Sequence, residues 1–364
     1  MSDRPVWRPS VPPELGDWAA RLSRRDLLRS AALAAGTAGA SALLAACGSG
    51  SKSGGSGSAS ATTAGPPSAQ ASSLQALAAN LPQLSLLNAQ SNLPVGRSRF
   101  TFGLSTSDNR LVQGGTPRVW FAPDPTSKPL GPFQARFLQM NAYDQLKDKS
   151  PRSELTGFYV AEVNLPKAGS WMTVAVIDAN GQRAAGQGAI PVDSKVVAPV
   201  GSKAISGKTP VATKPADVAK ICTREPPCPL HYVSLDQAMR SGKPTVITFA
   251  TPLLCTSRMC GPVVDEQMLA FQKIGKEKAN FIHLEIYPQR DTNRPAPLFV
   301  RWGFQSEPWL IVIDRNGVIR GRLGEGPVVA SEIEAALTRG CPCREAPPGR
   351  RPRRTPGPDG RRRP

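Results

Sequence analysis

Between residues 95 and 195 apolar side chains recur at every second position, a spacing that places them on one face of strands and not of helices. Phe100, Phe102 and Leu104 alternate with small or polar residues, and Val119 and Phe121 follow a Gly114-Gly115 turn. Tyr159, Ala161, Val163 and Leu165 form a further period-two face, closed by Pro166-Lys167-Ala168-Gly169. Trp171 to Ile177 is a β-branched run that ends in the hairpin signal Asn180-Gly181. Short strands at this spacing predict an antiparallel β-sandwich over residues 95–195. The segment holds no His and no Cys, so a spacer or interaction module is expected there and catalysis elsewhere.

Residues 221–340 change pattern and alternate strand and helix signals. Ser234 precedes a short helix that ends before Gly242, and Pro244 to Phe249 reads as a buried strand. Val264, Met268, Phe271 and Ile274 lie on one face of a helix. Phe281 to Tyr287, Trp309 to Ile313 and Val318 to Leu323 read as strands, the last two joined by the turn Asp314-Arg315-Asn316-Gly317. Leu298 to Trp302 and Ser331 to Leu337 read as helices. The chain contains 37 Pro and 33 Gly, residues that disfavour helix and strand interiors, so long connections are expected. Residues 47–94 read as a flexible tether with a short helix within Leu74 to Leu87, and residues 196–220 as a linker between the two domains.

Two resemblances follow from these residues. The pattern Gly157-Phe-Tyr-Val-Ala-Glu-Val, followed by Gly169-Ser-Trp171, resembles immunoglobulin-like domains of extracytoplasmic bacterial proteins. The element order of 221–340 resembles the thioredoxin fold. A cysteine pair follows the first strand, and Trp302-Gly303-Phe304-Gln305-Ser306-Glu307-Pro308 looks like the thioredoxin segment that ends in a cis-proline. The resemblance implies that Pro308 packs beside a reactive disulfide and contributes to substrate binding.

The pair is Cys255-Thr256-Ser257-Arg258-Met259-Cys260, with four intervening residues where thioredoxins have two, and Leu254 stands where they have tryptophan. Two helical positions five residues apart point in different directions. A disulfide therefore requires Cys255 in the loop ahead of a helix and Cys260 in its first turn, within about 5.5–6 Å between Cα atoms. Arg258 is placed to stabilise a thiolate. By analogy with the family, Cys255 is the candidate nucleophile and Cys260 the resolving thiol, although a structural disulfide remains open at this pair. Sco-type copper chaperones and peroxiredoxins match less well. The former have three residues between the cysteines, and here the histidine candidates are His231 and His283, the latter inside a strand pattern that reads as packed. Cys222 and Cys228 before the domain, and Cys341 and Cys343 after it, are candidates for structural disulfides. Their spacings are poor matches to zinc motifs, so no metal and no other cofactor is expected.

Ser23-Arg24-Arg25-Asp26-Leu27-Leu28-Arg29 is followed by the Ala-rich run Ala31 to Ala46, too short and weakly apolar to span a bilayer of about 30 Å. It reads as a signal peptide over residues 1–46. Its end, Leu44-Ala45-Ala46-Cys47, resembles the bacterial lipobox, and the arginine pair resembles a twin-arginine export signal. These imply acylation of Cys47 and an anchor on the outer face of the cytoplasmic membrane. The net charge of +18 owes much to residues 341–364, whose eight Arg stand against Glu345 and Asp359. That segment reads as a solvated basic tail. The export signal further disfavours nucleic acid, and none is expected as a partner.

The sequence thus predicts a membrane-tethered, extracytoplasmic thiol–disulfide oxidoreductase acting on exported thiol-containing proteins or a redox partner. Its rival is a binding or scaffold lipoprotein with a redox-inert thioredoxin-like domain.

Overall fold

The computed structural model describes residues 71–339 apart from 149, 150, 152, 180, 181 and 289. The expected signal peptide, Cys47, the tether up to residue 70, the Asn180-Gly181 turn, Cys341, Cys343 and the basic tail lie outside the described residues. No helix among the described residues is long and apolar enough to cross a membrane.

The first half is a β-barrel. A short helix α1 (Leu74–Ala78), capped by the Ser73 hydroxyl that accepts the Ala76 N–H at 3.1 Å, leads into it. The strands are β1 (Gln83–Asn88), β2 (Leu93–Pro94), β3 (Gly96–Ser105), β4 (Arg118–Ala122), β5 (Leu130–Gln139), β6 (Gly157–Leu165), β7 (Gly169–Ala179) and β8 (Gln182–Asp193). They are hydrogen-bonded in the order β1-β3-β6-β5-β4-β7-β8-β2, and β1 also pairs in parallel with β8 through Gln83–Ala185, Leu84–Gly186 and Ser85–Gln187. That pairing closes the sheet on itself. Phe100, Phe102, Phe121 and Tyr159 fill the interior, with Phe100 and Phe102 stacked at 5.0 Å between ring centres. Each such side chain contributes roughly 1.5–3 kcal/mol by leaving water. The Tyr159 hydroxyl donates to the Gly114 carbonyl at 2.7 Å, so the single polar atom on this aromatic stack is satisfied.

The second half is a four-stranded mixed sheet ordered β10-β9-β11-β12, from β9 (Thr245–Phe249), β10 (Asn280–Leu284), β11 (Trp309–Ile313) and β12 (Ile319–Glu325). β9 and β10 are parallel, and β11 is antiparallel to both β9 and β12. The β11–β12 turn is locked by Asp314, whose carboxylate accepts the N–H groups of Asn316 and Val318 at 2.8 and 2.9 Å, while Gly317 takes a φ of +72°. The helices are α2 (Ala142–Gln145), α3 (Pro215–Ile221), α4 (Leu235–Arg240), α5 (Cys260–Ile274), α6 (Pro297–Trp302) and α7 (Ala330–Arg339). Pro at the first position starts α3 and α6, where a missing N–H costs no hydrogen bond.

The expected fold class, an immunoglobulin-like β-sandwich followed by a thioredoxin-like α/β domain, is corrected. A sandwich has open sheet edges, and here the parallel β1–β8 pairing removes them. Nor do barrel and second sheet part into domains, because all described residues belong to one compact unit. Ala142 and Leu146 pack into the core beneath α5 and α7, and Met140, Phe158 and Val160 on the barrel's outer face pack against Val329. Glu266 on α5 ties the halves further: one carboxylate oxygen accepts the N–H groups of Asn141 and Ala142 at 2.7 and 2.9 Å, the other that of Ala330 at 2.8 Å. Arg99 of β3 makes a two-pronged ion pair with Glu332 of α7, both bonds 2.8 Å.

Two boundaries move as well. The tether expected to run to residue 94 stops short of β1, because Asn80 at φ +58° and Pro82 end the helical stretch and Gln83–Asn88 extends as a strand. The linker expected at 196–220 is packed chain: Val197, Ala198, Ala204 and Ile205 lie against the core of the second sheet, and α3 occupies its end.

Candidate functional site

The chain leaves β9 at Phe249, turns through Pro252 to Leu254 and enters α5 at Cys260. Cys255 therefore lies in the loop ahead of the helix and Cys260 is its first residue, the arrangement that a disulfide across five residues would require. Arg258 takes a φ of +58°, which bends the loop back so that both sulfurs face the same space. The sulfurs of Cys255 and Cys260 and a carboxylate oxygen of Glu307 all lie within 4.8 Å of one another.

The two thiols have opposite environments. Cys255 is partly exposed and Cys260 is buried. The Cys255 sulfur receives the Cys260 N–H at 3.4 Å and lies 3.2 Å from the Ser257 hydroxyl. Donation from the Cys260 thiol, with those groups and the Met259 N–H, lowers the Cys255 thiol to about 6 against the opposing effect of burial. The position ahead of the first turn of α5 is one where helix N–H groups stabilise an anion. Burial pushes the Cys260 thiol well up, and the neighbouring Cys255 adds to the rise. Arg258 is not among these groups. Its guanidinium points away to Glu154, at 3.5 Å.

Glu307, for which the sequence suggested no role, is the third member. Its Oε2 accepts the Thr251 N–H at 2.8 Å, which holds the carboxylate over the loop. Burial raises its pKa to about 7, with the charge on Cys255 adding to the rise and a hydrogen bond from Cys260 opposing it. Its one sequence signal was adjacency to Pro308. Nothing local announces that this segment returns to the cysteines. Thr251 also accepts the N–H groups of Ile286 and Tyr287 at 2.9 and 3.1 Å, so the loop is fastened to the chain that follows β10. Pro308 is buried at the start of β11, the Glu307–Pro308 peptide is cis, and the Pro308 carbonyl accepts the Gly326 N–H at 3.2 Å.

Cys222 and Cys228, expected as disulfide candidates, lie together in a second buried group. Their sulfurs are 3.7 Å apart, and both histidines of the chain, His231 and His283, adjoin them. The strand pattern marks His283 only as a packed residue, with nothing that joins it to these cysteines. The spacing Cys228-x-x-His231 was the visible signal. The contribution of His283 from β10 was not visible. When compared with protein-family models and with characterised proteins, the chain matches none of them.

Proposed function

We propose that the protein is a thiol–disulfide oxidoreductase whose reacting pair is Cys255 and Cys260, held outside the cytoplasmic membrane by a lipid on Cys47. The observation that carries the reading is the asymmetry of the pair: a half-buried Cys255 with a depressed pKa beside a fully buried Cys260 with a raised one. The first is a nucleophile at neutral pH and the second is kept protonated until needed.

In the reducing direction the Cys255 thiolate attacks one sulfur of a partner's disulfide, forms a mixed disulfide and expels the other sulfur as a thiolate. Cys260 gives its proton to the Glu307 carboxylate and attacks the Cys255 sulfur. The Cys255–Cys260 disulfide forms, the second partner sulfur leaves as a thiolate, and Glu307 or solvent returns its proton. Two electrons pass from the pair to the partner. The same steps run backwards oxidise a partner dithiol, and a second dithiol or disulfide protein resets the pair. Leu253 is 55% exposed two residues before Cys255, which offers an apolar contact to an incoming chain. The lipid anchor and export rest on the arginine pair and on Leu44 to Cys47 alone.

The test equilibrates the full-length protein in graded thiol buffers, alkylates free cysteines and assigns them by peptide mass. Joint oxidation and reduction of Cys255 and Cys260 at a potential above about −300 mV is expected, with exchange activity abolished by Cys255→Ser. A pair that resists reduction, or full exchange activity in Cys255→Ser/Cys260→Ser, overturns the proposal in favour of a binding scaffold.

A further inference from the structure

The geometry points to a second site: Cys222, Cys228, His231 and His283 form a closed four-ligand centre for a zinc-like divalent cation. This departs from the sequence reading, which assigned no metal, and it does not rest on the redox role of Cys255 and Cys260.

The distances carry the argument. Zinc binds thiolate at about 2.3 Å and imidazole at about 2.0–2.1 Å in a tetrahedron. The edges of such a tetrahedron are roughly 3.8 Å between sulfurs and roughly 3.5–3.6 Å between sulfur and nitrogen. The Cys222 and Cys228 sulfurs are 3.7 Å apart. Cys228 Sγ lies 3.5 Å from His231 Nε2 and 3.3 Å from His283 Nδ1, and Cys222 Sγ lies 3.8 Å from His283 Nδ1. All four ligand atoms fall within 4.8 Å of one another, and all four residues are buried. Four of the six edges between the donor atoms therefore lie near those of a zinc tetrahedron, and the other two fall within 4.8 Å.

The surroundings orient the donors. His283 Nε2 lies 3.0 Å from the Ala250 carbonyl, which can only accept. Nε2 therefore carries the proton, and the Nδ1 lone pair is directed at the sulfurs, as a metal-binding histidine requires. The Cys228 N–H is directed at the Cys222 sulfur from 3.4 Å, a donor that favours thiolate. The segment bearing three of the ligands is fastened to the fourth by the His283 N–H, which donates to the Leu230 carbonyl at 2.8 Å. A disulfide between Cys222 and Cys228 would use two of these groups and give neither imidazole nitrogen a role.

Charge selects the class of ion. Two thiolates and two neutral imidazoles around a divalent cation sum to zero, whereas a monovalent cation leaves a net negative charge in a buried space, which is costly. On binding, the two thiols form two metal–sulfur bonds and release two protons to solvent, with no change of oxidation state. Four protein ligands leave no open position, so the centre is structural. It clips the chain at 222–231 to β10. It also stiffens the redox loop, because Thr223, next to Cys222, accepts the Leu253 N–H at 3.2 Å.

The experiment uses the full-length protein, reduced, exposed to zinc and freed of excess metal. One zinc per chain is expected by elemental analysis. X-ray absorption of that wild-type sample is expected to show two sulfur and two nitrogen ligands, a readout that requires no variant to fold. Cys255→Ser/Cys260→Ser should retain the zinc and His231→Gln should lose it. Several results overturn the proposal: no stoichiometric zinc, a shell of four sulfurs, zinc lost with Cys255 and Cys260, or a Cys222–Cys228 disulfide that persists in protein reduced with zinc present. Because the metal readout and the exchange assay address different cysteines, failure of one proposal leaves the other measurable.

Discussion

The backbone N–H of Cys260 is aimed at the sulfur of Cys255 from 3.4 Å. The first amide of α5 thus serves a residue outside the helix, and the five-residue separation, longer than that of thioredoxins, is what places it there. Two cysteines within a single helix at this separation would diverge. Here the loop absorbs the extra residues, and the two sulfurs differ in access and in acidity.

That difference predicts the pH profile of alkylation. In the reduced full-length protein, iodoacetamide should modify Cys255 with a rate that rises through a midpoint at about 6. Cys260, buried and raised, should stay unmodified over the same range. Replacing the partner with alanine, Cys260→Ala, removes the thiol donor that contributes most to the lowering and should move the midpoint upward. Rates followed by peptide mass decide the matter, and a Cys255 midpoint at the ordinary thiol value would refute the assigned environment.

Glu307 makes stability depend on pH in a defined direction. Its folded pKa, about 7, lies above the ordinary carboxyl value of 4.5, so the folded state binds more protons between those values. Stability is then fully present below 4.5 and declines as pH rises through about 7. Glu307→Gln removes this titration, so its urea midpoint should fall less than the wild-type midpoint across that window. Parallel curves for the two proteins would show that Glu307 is not buried in a raised state.

Glu266 is the acceptor for three main-chain N–H groups from two helices. Glu266→Ala leaves those donors buried without a partner, at about 1–3 kcal/mol each when no water reaches them. A loss of about 3 kcal/mol or more is expected in chemical denaturation. Glu266→Gln, which keeps one oxygen, should lose less. Equal stability of Glu266→Ala and wild type would mean that the joint between barrel and second sheet does not depend on this carboxylate.

Much of the local structure was legible in the sequence, and for physical reasons. The inward faces Phe100-Phe102-Leu104 and Tyr159-Ala161-Val163-Leu165 were readable because strand periodicity is independent of which strands become neighbours. The Ser234 start of α4 was readable for a similar reason. Gln237 accepts the Ser234 N–H at 3.4 Å, three residues away. The loop position of Cys255 and the first-turn position of Cys260 were readable as what a disulfide between the two requires.

By itself the sequence determined the apolar faces of strands and helices such as β3, β6 and α5, because those depend on neighbours a few residues apart, whereas β1 and α3 fell within the expected tether and linker. The tertiary structure alone decided that the strands close into a barrel. A barrel and a sandwich share the same in–out alternation, and closure depends on β1 meeting β8 at Gln83–Ala185. Contacts between distant segments likewise brought Glu307 to the Cys255 pair and His283 to Cys222 and Cys228. Such groupings depend on which segments share a core, and residue spacing carries no record of it.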